Sequence, residues 1–311
     1  MDRGPMQKHD LLIRFWGVRG SFPVPGPDTV RYGGNTSCIE IRNNKHILVL
    51  DAGTGIIPLG EKVLRENIHM NGEKLPITVL LSHTHHDHIQ GLPFFKPAYS
   101  KNYAMYVFGP SLLGRDIEAS LIHSMEPEYC PIKLKDLSAD KIIHNFEQDQ
   151  KLVIRNSIYH PQLYSNHDDV KDVNPSDMVI TSLKSTAHPT DGVFVYKIRA
   201  NNKTVVYSTD IEGTPGGDSE LIQFAKDADI LIHDAQYLTE EYNCPNSSKA
   251  GYGHSTLEMA CEVATKAEVK KLVLYHHDPS HDDTVMDSIE HKAKSLFPDV
   301  SAGREGMEIR L

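Results

Sequence analysis

The sequence predicts an α/β fold, on three observations. Short apolar runs rich in β-branched residues recur along the chain and read as strands, most clearly Ile77–Leu81 after Pro76. Amphipathic stretches such as Ile56–Glu66 and Leu257–Lys266 fall between such runs and read as helices. Histidines and aspartates stand directly after several runs, where α/β proteins build their sites.

The Ile77–Leu81 run leads into Ser82-His83-Thr84-His85-His86-Asp87-His88. Within it, His83, His85, Asp87 and His88 form the pattern His-x-His-x-Asp-His. Imidazoles and a carboxylate at this density suit zinc, or manganese and iron if more oxygen donors join. Two histidines at i and i+2 on extended backbone point to one side and share an ion. The Asp-His pair, as the chain turns, reaches a second ion. A solvated polar loop in a chain with 18 histidines is the bland alternative; the fixed spacing of four donors argues against it.

The remaining elements follow in order. Leu11–Val18 is a first strand, and the proline- and glycine-rich stretch 19–27 is a loop. The glycines of 31–37 let backbone approach a ligand closely, and Arg19 and Arg31 are positioned to meet an anion, unless the loop is merely a stiffened surface. Ser37–Arg42 and His46–Leu50 form a strand pair around Asn43-Asn44-Lys45. Asp51 ends the second strand, and a helix covers Ile56–Glu66. After the metal motif, Phe94 and Phe95 either pack in the core or line a pocket mouth. Residues 96 to 178 are the least readable: a strand at Ala104–Phe108, a helix at Ser111–Ser124 and a polar stretch at Tyr159–Asp177.

Ile180–Ala187 leads into His188, followed by strands at Val193–Ile198 and Lys203–Ser208, with Asp210 just beyond. Asp229–Ile232 is a strand ending at His233-Asp234-Ala235. Gly253-His254-Ser255-Thr256 precedes the helix Leu257–Lys266, which Ser255 or Thr256 caps. Lys271–Tyr275 is a strand followed by His276 and His277, and Met307–Leu311 alternates as a closing edge strand. No repeat or linker divides the chain, so residues 1–311 read as a single domain with a less readable insertion near 96–178.

A hydrophobic content of 39% and a charged content of 24% are those of a soluble globular protein. No apolar run approaches membrane-spanning length, and Met1–Asp10 lacks a secretory pattern. Cys38, Cys130, Cys244 and Cys261 show no Cys-x-x-Cys spacing and read as reduced thiols of a cytoplasmic protein. The formal charge of −10 gives no global attraction to nucleic acid or anionic membrane.

The His-x-His-x-Asp-His pattern, with Phe15-Trp16-Gly17-Val18-Arg19-Gly20-Ser21 and Gly33-Gly34-Asn35-Thr36-Ser37, resembles the metallo-β-lactamase superfamily, and within it the phosphodiesterase branch. The resemblance implies a four-layer αββα sandwich and two divalent ions, zinc first and manganese second. His83, His85 and His188 would hold one ion, Asp87, His88 and His276 the other, with Asp210 bridging. His276 is chosen over His277 because family members place this ligand first after the strand. Asp51 resembles a buried aspartate that steadies the metal loop; a helix cap is its other reading. Relatives with oxygen chemistry have Glu at the position of His85, so hydrolysis is implied.

Asp234 and His254 resemble the pair in which an acidic residue orients a histidine that is not a ligand and serves phosphate or the leaving group. The catalytic set is therefore His254, Asp234 and the ligand Asp87, with Arg19, Asn35 and Thr36 as substrate-binding candidates. Relatives that process tRNA 3′ ends carry a long arm between the third histidine and the bridging aspartate. Here His188 and Asp210 are 22 positions apart, mostly strand. The expectation is thus a small phosphodiester substrate, foremost a cyclic nucleotide, with no membrane partner, no large nucleic acid and a homodimeric state. The alternatives are an RNA or single-stranded DNA nuclease, a carboxyl- or thioester hydrolase that leaves Asp234 and His254 without a role, and a non-enzymatic scaffold.

Overall fold

The computed structural model describes residues 11–66, 73–156 and 160–311. Met1–Asp10 and Tyr159, both read above, lie outside the described residues. A first sheet runs in spatial order β1 (Leu11–Gly17), β2 (Cys38–Asn43), β3 (His46–Leu50), β4 (Leu75–Leu80), β5 (Tyr103–Gly109) and β6 (Asp140–Asn145). The second is built from β7 (Gln150–Ile154), β8 (Gln162–Ser165), β9 (Met178–Ser185), β10 (Val193–Ala200), β11 (Lys203–Ser208), β12 (Ile230–Asp234), β13 (Lys271–Tyr275) and β14 (Val300–Ala302). Its spatial order is β14-β13-β12-β11-β10-β9-β7-β8. The last strand, β15 (Glu308–Arg310), returns to the first sheet and pairs antiparallel with β1 as its edge.

Each sheet has a parallel half, β3 to β6 and β11 to β14. Parallel neighbours need crossovers, which helices supply. These are α1 (Ile56–Glu66), α2 (His86–Ile89) and α3 (Ile117–Ser124) in the first half. In the second they are α4 (Ser219–Ala225), α5 (Thr239–Tyr242), α6 (Leu257–Lys266) and α7 (Asp283–Leu296).

Alternation along the strands divides the apolar residues into three layers. On β3, Leu48 and Leu50 enter the core between the sheets, while Ile47 and Val49 pack under α1 and α3. On β13, Val273 and Tyr275 face the inter-sheet core, and Leu272 and Leu274 face α6 and α7. Three apolar layers separate four structural ones, an αββα sandwich. Among the described residues, no helix is long and apolar enough to cross a membrane. All four cysteines are free thiols.

The segment 96–178 differs most from its sequence reading. It supplies β5 and β6 to one sheet and β7 and β8 to the other, so it closes an edge of each. The helix expected from Ser111 begins only at Ile117. Leu113 and Gly114 both take positive φ (53° and 70°), which breaks helix there. Asp116 then caps α3, accepting from the Ala119 amide at 2.7 Å. Helix α7 was not anticipated; it buries Met286, Ile289 and Ala293 at i, i+3 and i+7.

Candidate metal centre and catalytic pair

The site forms where the parallel strands of both sheets end. From the first sheet, β3 leads to Asp51 and β4 to His83. From the second, β11 leads to Asp210, β12 ends at Asp234 and β13 leads to His276. His85 holds extended backbone (φ −63°, ψ 154°) at the start of α2. The single turn of α2 then carries Asp87 and His88 away from the direction of His83 and His85.

Two donor groups result. Ligand atoms of His83, His85 and His188 lie within 4.8 Å of one another, as do those of Asp87, His88, Asp210 and His276. Asp210 faces both. Its Oδ1 is 3.8 Å from His83 Nε2 and 3.7 Å from His188 Nε2, and its Oδ2 is 3.1 Å from His88 Nε2 and 3.3 Å from His276 Nε2. One carboxylate thus offers an oxygen to each group. Asp87 Oδ2 lies 3.2 Å from His88 Nε2 and 3.1 Å from His276 Nε2.

The donor chemistry fits divalent ions because the imidazoles are held through their other nitrogens. His88 Nδ1 donates to Asp51 at 2.7 Å, His276 Nδ1 to Gln236 Oε1 at 2.9 Å, and His188 Nδ1 to the Gly253 carbonyl at 3.0 Å. In neutral rings these bonds leave Nε2 as a lone pair. The Nε2 atoms of His88 and His276 are 3.3 Å apart, so two acceptors point at one place. His83 Nε2 is buried with no hydrogen-bond partner. Such convergence is costly unless a cation satisfies it.

Charge points the same way. Burial lowers the pKa of His83 well below the usual value. It also takes His85 down to about 4, with help from His188, so both rings are neutral. Burial opposes charge on His88 too, but Asp210, Asp87 and Asp51 outweigh it and push its pKa well up. This excess of carboxylate is what a divalent cation would balance.

Asp51 is fully buried with φ of 59° and accepts from four donors. They are His88 Nδ1, Tyr207 Oη at 2.7 Å, Ser82 Oγ at 2.8 Å and the Ser82 amide at 2.7 Å. It braces the metal loop and does not cap α1.

The second feature is His254. Its Nδ1 is 2.8 Å from Asp234 Oδ2, its ring stacks on His276 with centroids 4.9 Å apart, and it lies 4.0 Å from Asp210 Oδ1. Burial works against its charge, but Asp234 and then Asp210 prevail and raise its pKa to about 9. Asp234 also accepts from the amides of Asp210 (3.1 Å), Gln236 (3.2 Å) and Ser255 (2.9 Å). The cap of α6 is Thr256, whose side chain accepts from the Met259 amide; Ser255 Oγ instead donates to the Ile211 carbonyl.

Other expected residues stand elsewhere. Arg19 is completely buried, donating to the carbonyls of Gly33, Asp278 and His281. Asn35 donates from Nδ2 to Glu305, and Thr36 Oγ1 accepts from the Thr54 amide and Gln90. All three of these side chains are engaged in bonds that tie loops together. The loop meets the site through backbone: the Ser21 amide donates to Asp87 Oδ2 at 2.8 Å. Arg31 pairs with Asp287 at 2.8 Å. His277 donates from Nε2 to the Gly303 carbonyl, away from the donor groups. Phe95 is core, and Phe94 is exposed. Gln236, which orients His276, follows His233-Asp234-Ala235; a polar residue just past a strand end was its only signal.

Two clefts adjoin the centre. One, about 690 Å³, is lined by Thr84 and His86 of the metal motif together with Phe94, Arg115 and Tyr129. The other, about 580 Å³, is lined by Ser21, Gln236 and Tyr237, with Glu240, Glu241 and Asp278.

An αββα sandwich with two facing donor groups defines a metal-dependent hydrolase. The chain belongs to the beta-lactamase superfamily, whose domain matches residues 46–277. It is 26% identical to the ribonuclease Z of Oceanobacillus iheyensis, over 77% of this chain and 83% of that one. It is 25% identical to the ribonuclease Z of Picrophilus torridus, over 96% and 95%. In structure it is similar to the metallo-beta-lactamase fold protein YhfI from Bacillus subtilis. That likeness has a TM-score of 0.65 at 21% identity and covers 97% of this chain and all of that one.

Proposed function

We propose that this protein is a two-metal phosphodiesterase acting on RNA, with His254 as proton donor. The observation that carries the reading is the Asp234–His254 pair beside Asp210: the groups His83, His85, His188 and Asp87, His88, Asp210, His276 form without it, although His254 also stands within ligand reach of His188 and Asp210. His83, His85 and His188 would hold one ion, Asp87, His88 and His276 the other, and Asp210 both. Bound divalent ions supply a water ionised near neutral pH and positive charge against the phosphoryl oxygens. The chain does the rest. Asp234 takes Nδ1 of His254 and leaves Nε2 to protonate the departing ribose oxygen. Asp51, Gln236 and Gly253 keep the ligand rings from turning. Zinc is the first choice of ion and manganese the second.

The similarity to ribonucleases Z over most of both chains moves the weight from a cyclic nucleotide to RNA. A small phosphodiester is the second reading, favoured by one observation. Strands β10 and β11 join through Asn201 and Asn202 alone, so no arm projects between His188 and Asp210. The test is zinc- or manganese-loaded protein against RNA with a 3′ extension, single-stranded DNA and a panel of cyclic nucleotides, at two salt concentrations. RNA cleavage with steep salt dependence supports the first reading. Cyclic-nucleotide turnover without RNA cleavage supports the second, and no turnover of any of them ends both.

A further inference from the structure

Beside the metal motif the chain exposes two large aromatic rings, one of which, Tyr129, meets the edge of His123 with centroids 6.1 Å apart. Phe94, in the turn after α2, is 57% exposed, and Tyr129, after α3, is 72% exposed. Both line the 690 Å³ cleft whose wall includes Thr84 and His86. That volume suits a small-molecule moiety. Arg115 lines the same cleft, is exposed, and among the described residues makes no ion pair or side-chain hydrogen bond. The loop that carries it is fixed, since the Leu113 amide donates to Asp191 at 2.8 Å, three residues past His188. The cleft therefore borders the metal motif through Thr84 and His86, and its Leu113 wall is tethered to the loop that follows His188. The other cleft carries three carboxylates, Glu240, Glu241 and Asp278, against one cation, Lys249, and so suits a phosphate less well.

We propose that the Phe94–Tyr129 cleft is a nucleobase subsite, where the base next to the scissile phosphate stacks and Arg115 meets a flanking phosphate. This deepens the phosphodiesterase reading and rests on it. Stacking tolerates every base because each has a π-face, so the subsite selects nucleotides over other phosphodiesters without selecting sequence. An unpaired guanidinium beside aromatic rings adds attraction for both base and phosphate.

The test measures binding and turnover separately, on metal-loaded full-length protein. Calorimetry compares uridine 5′-monophosphate with ribose 5-phosphate, which share the phosphate and differ in the base. The wild type should favour the nucleotide by roughly 10-fold or more, the range expected for one stacked base. In the Phe94→Ala, Tyr129→Ala double variant the two affinities should become equal, with that for ribose 5-phosphate unchanged. Arg115→Ala should flatten the salt dependence of uridylyl-uridine binding. Both aromatic rings are exposed, so the variants retain the fold. Equal affinities in the wild type, or a preference that survives the double substitution, would overturn the subsite. Hydrolysis of bis(p-nitrophenyl) phosphate is followed in parallel. Turnover of that ester without base preference removes the subsite alone, whereas base-dependent binding without hydrolysis of any diester keeps it and removes the phosphodiesterase reading.

Discussion

Asp51 and His88 meet at 2.7 Å across 37 residues of sequence, one at the end of β3 and the other on the turn of α2. Neither side chain has any solvent exposure. The bond fixes Nδ1 as the protonated nitrogen of His88 and presents Nε2 to the donor group. Because Asp51 also receives Tyr207 from the second sheet, it joins the metal loop to both sheets.

Asp51→Asn should therefore lower metal affinity about 10- to 100-fold, the usual cost of losing such an outer partner. Competition with a chromophoric chelator measures it. Unchanged affinity would show that the brace is dispensable.

Metal content should be about two ions per chain for a site of this type. Asp210→Asn, which weakens an oxygen shared by both groups, should reduce it. Removing the ions should lower Tm, since a ligand bound only by the folded state stabilises it. Elemental analysis and a melting curve with and without chelator test both points, and a metal-free protein of full activity would end the two-ion reading.

His254→Ala should reduce turnover roughly 10²- to 10⁴-fold at unchanged metal content, as for loss of a general acid. Asp234→Asn should cost less turnover but also some metal, because Asp234 holds the Asp210 amide as well. Loss of metal in His254→Ala would make His254 a ligand instead.

The pKa of His254 is raised to about 9, so its protonated form is present at neutral pH and lost as pH rises through that value. Turnover should fall on the alkaline side accordingly. Asp234→Asn removes the carboxylate that sustains the charge and should move the falling limb to lower pH. A limb that stays in place in that variant would assign the titration to another group.

Asp282 caps α7, its carboxylate accepting from the amides of Thr284 and Val285 at 2.8 Å each. Asp282→Ala should destabilise the fold by about 1 kcal/mol, read as a shift in denaturant midpoint without a change in slope.

The sequence was most legible where one residue type reports one environment. Helices α1 and α6 have the bounds that apolar periodicity predicts, and His83, His188, Asp210 and His276 sit one to three residues past strand ends. Edge strands were harder. On β6 the outer positions Asp140 and His144 are exposed, so its pattern lacks the clean alternation of a half-buried strand. Arg19 was less legible: a cation beside glycines reads as an anion site, and its three bonds run to carbonyls brought from residues 33, 278 and 281, which no local pattern announces. Ser21 escaped notice because it acts through its amide, which every residue but proline has.

The proposed ligands are divided between the two sheets: His83, His85, Asp87 and His88 come from the first, and His188, Asp210 and His276 from the second. During synthesis the four-residue motif emerges long before its partners, His88 preceding His276 by 188 residues. A growing chain therefore carries the His-rich segment without the rest of the donor set. The centre is assembled only when the second sheet docks, which makes it a late event in folding. Metal uptake then reports completed tertiary structure, and a chain arrested midway carries the motif without the chemistry.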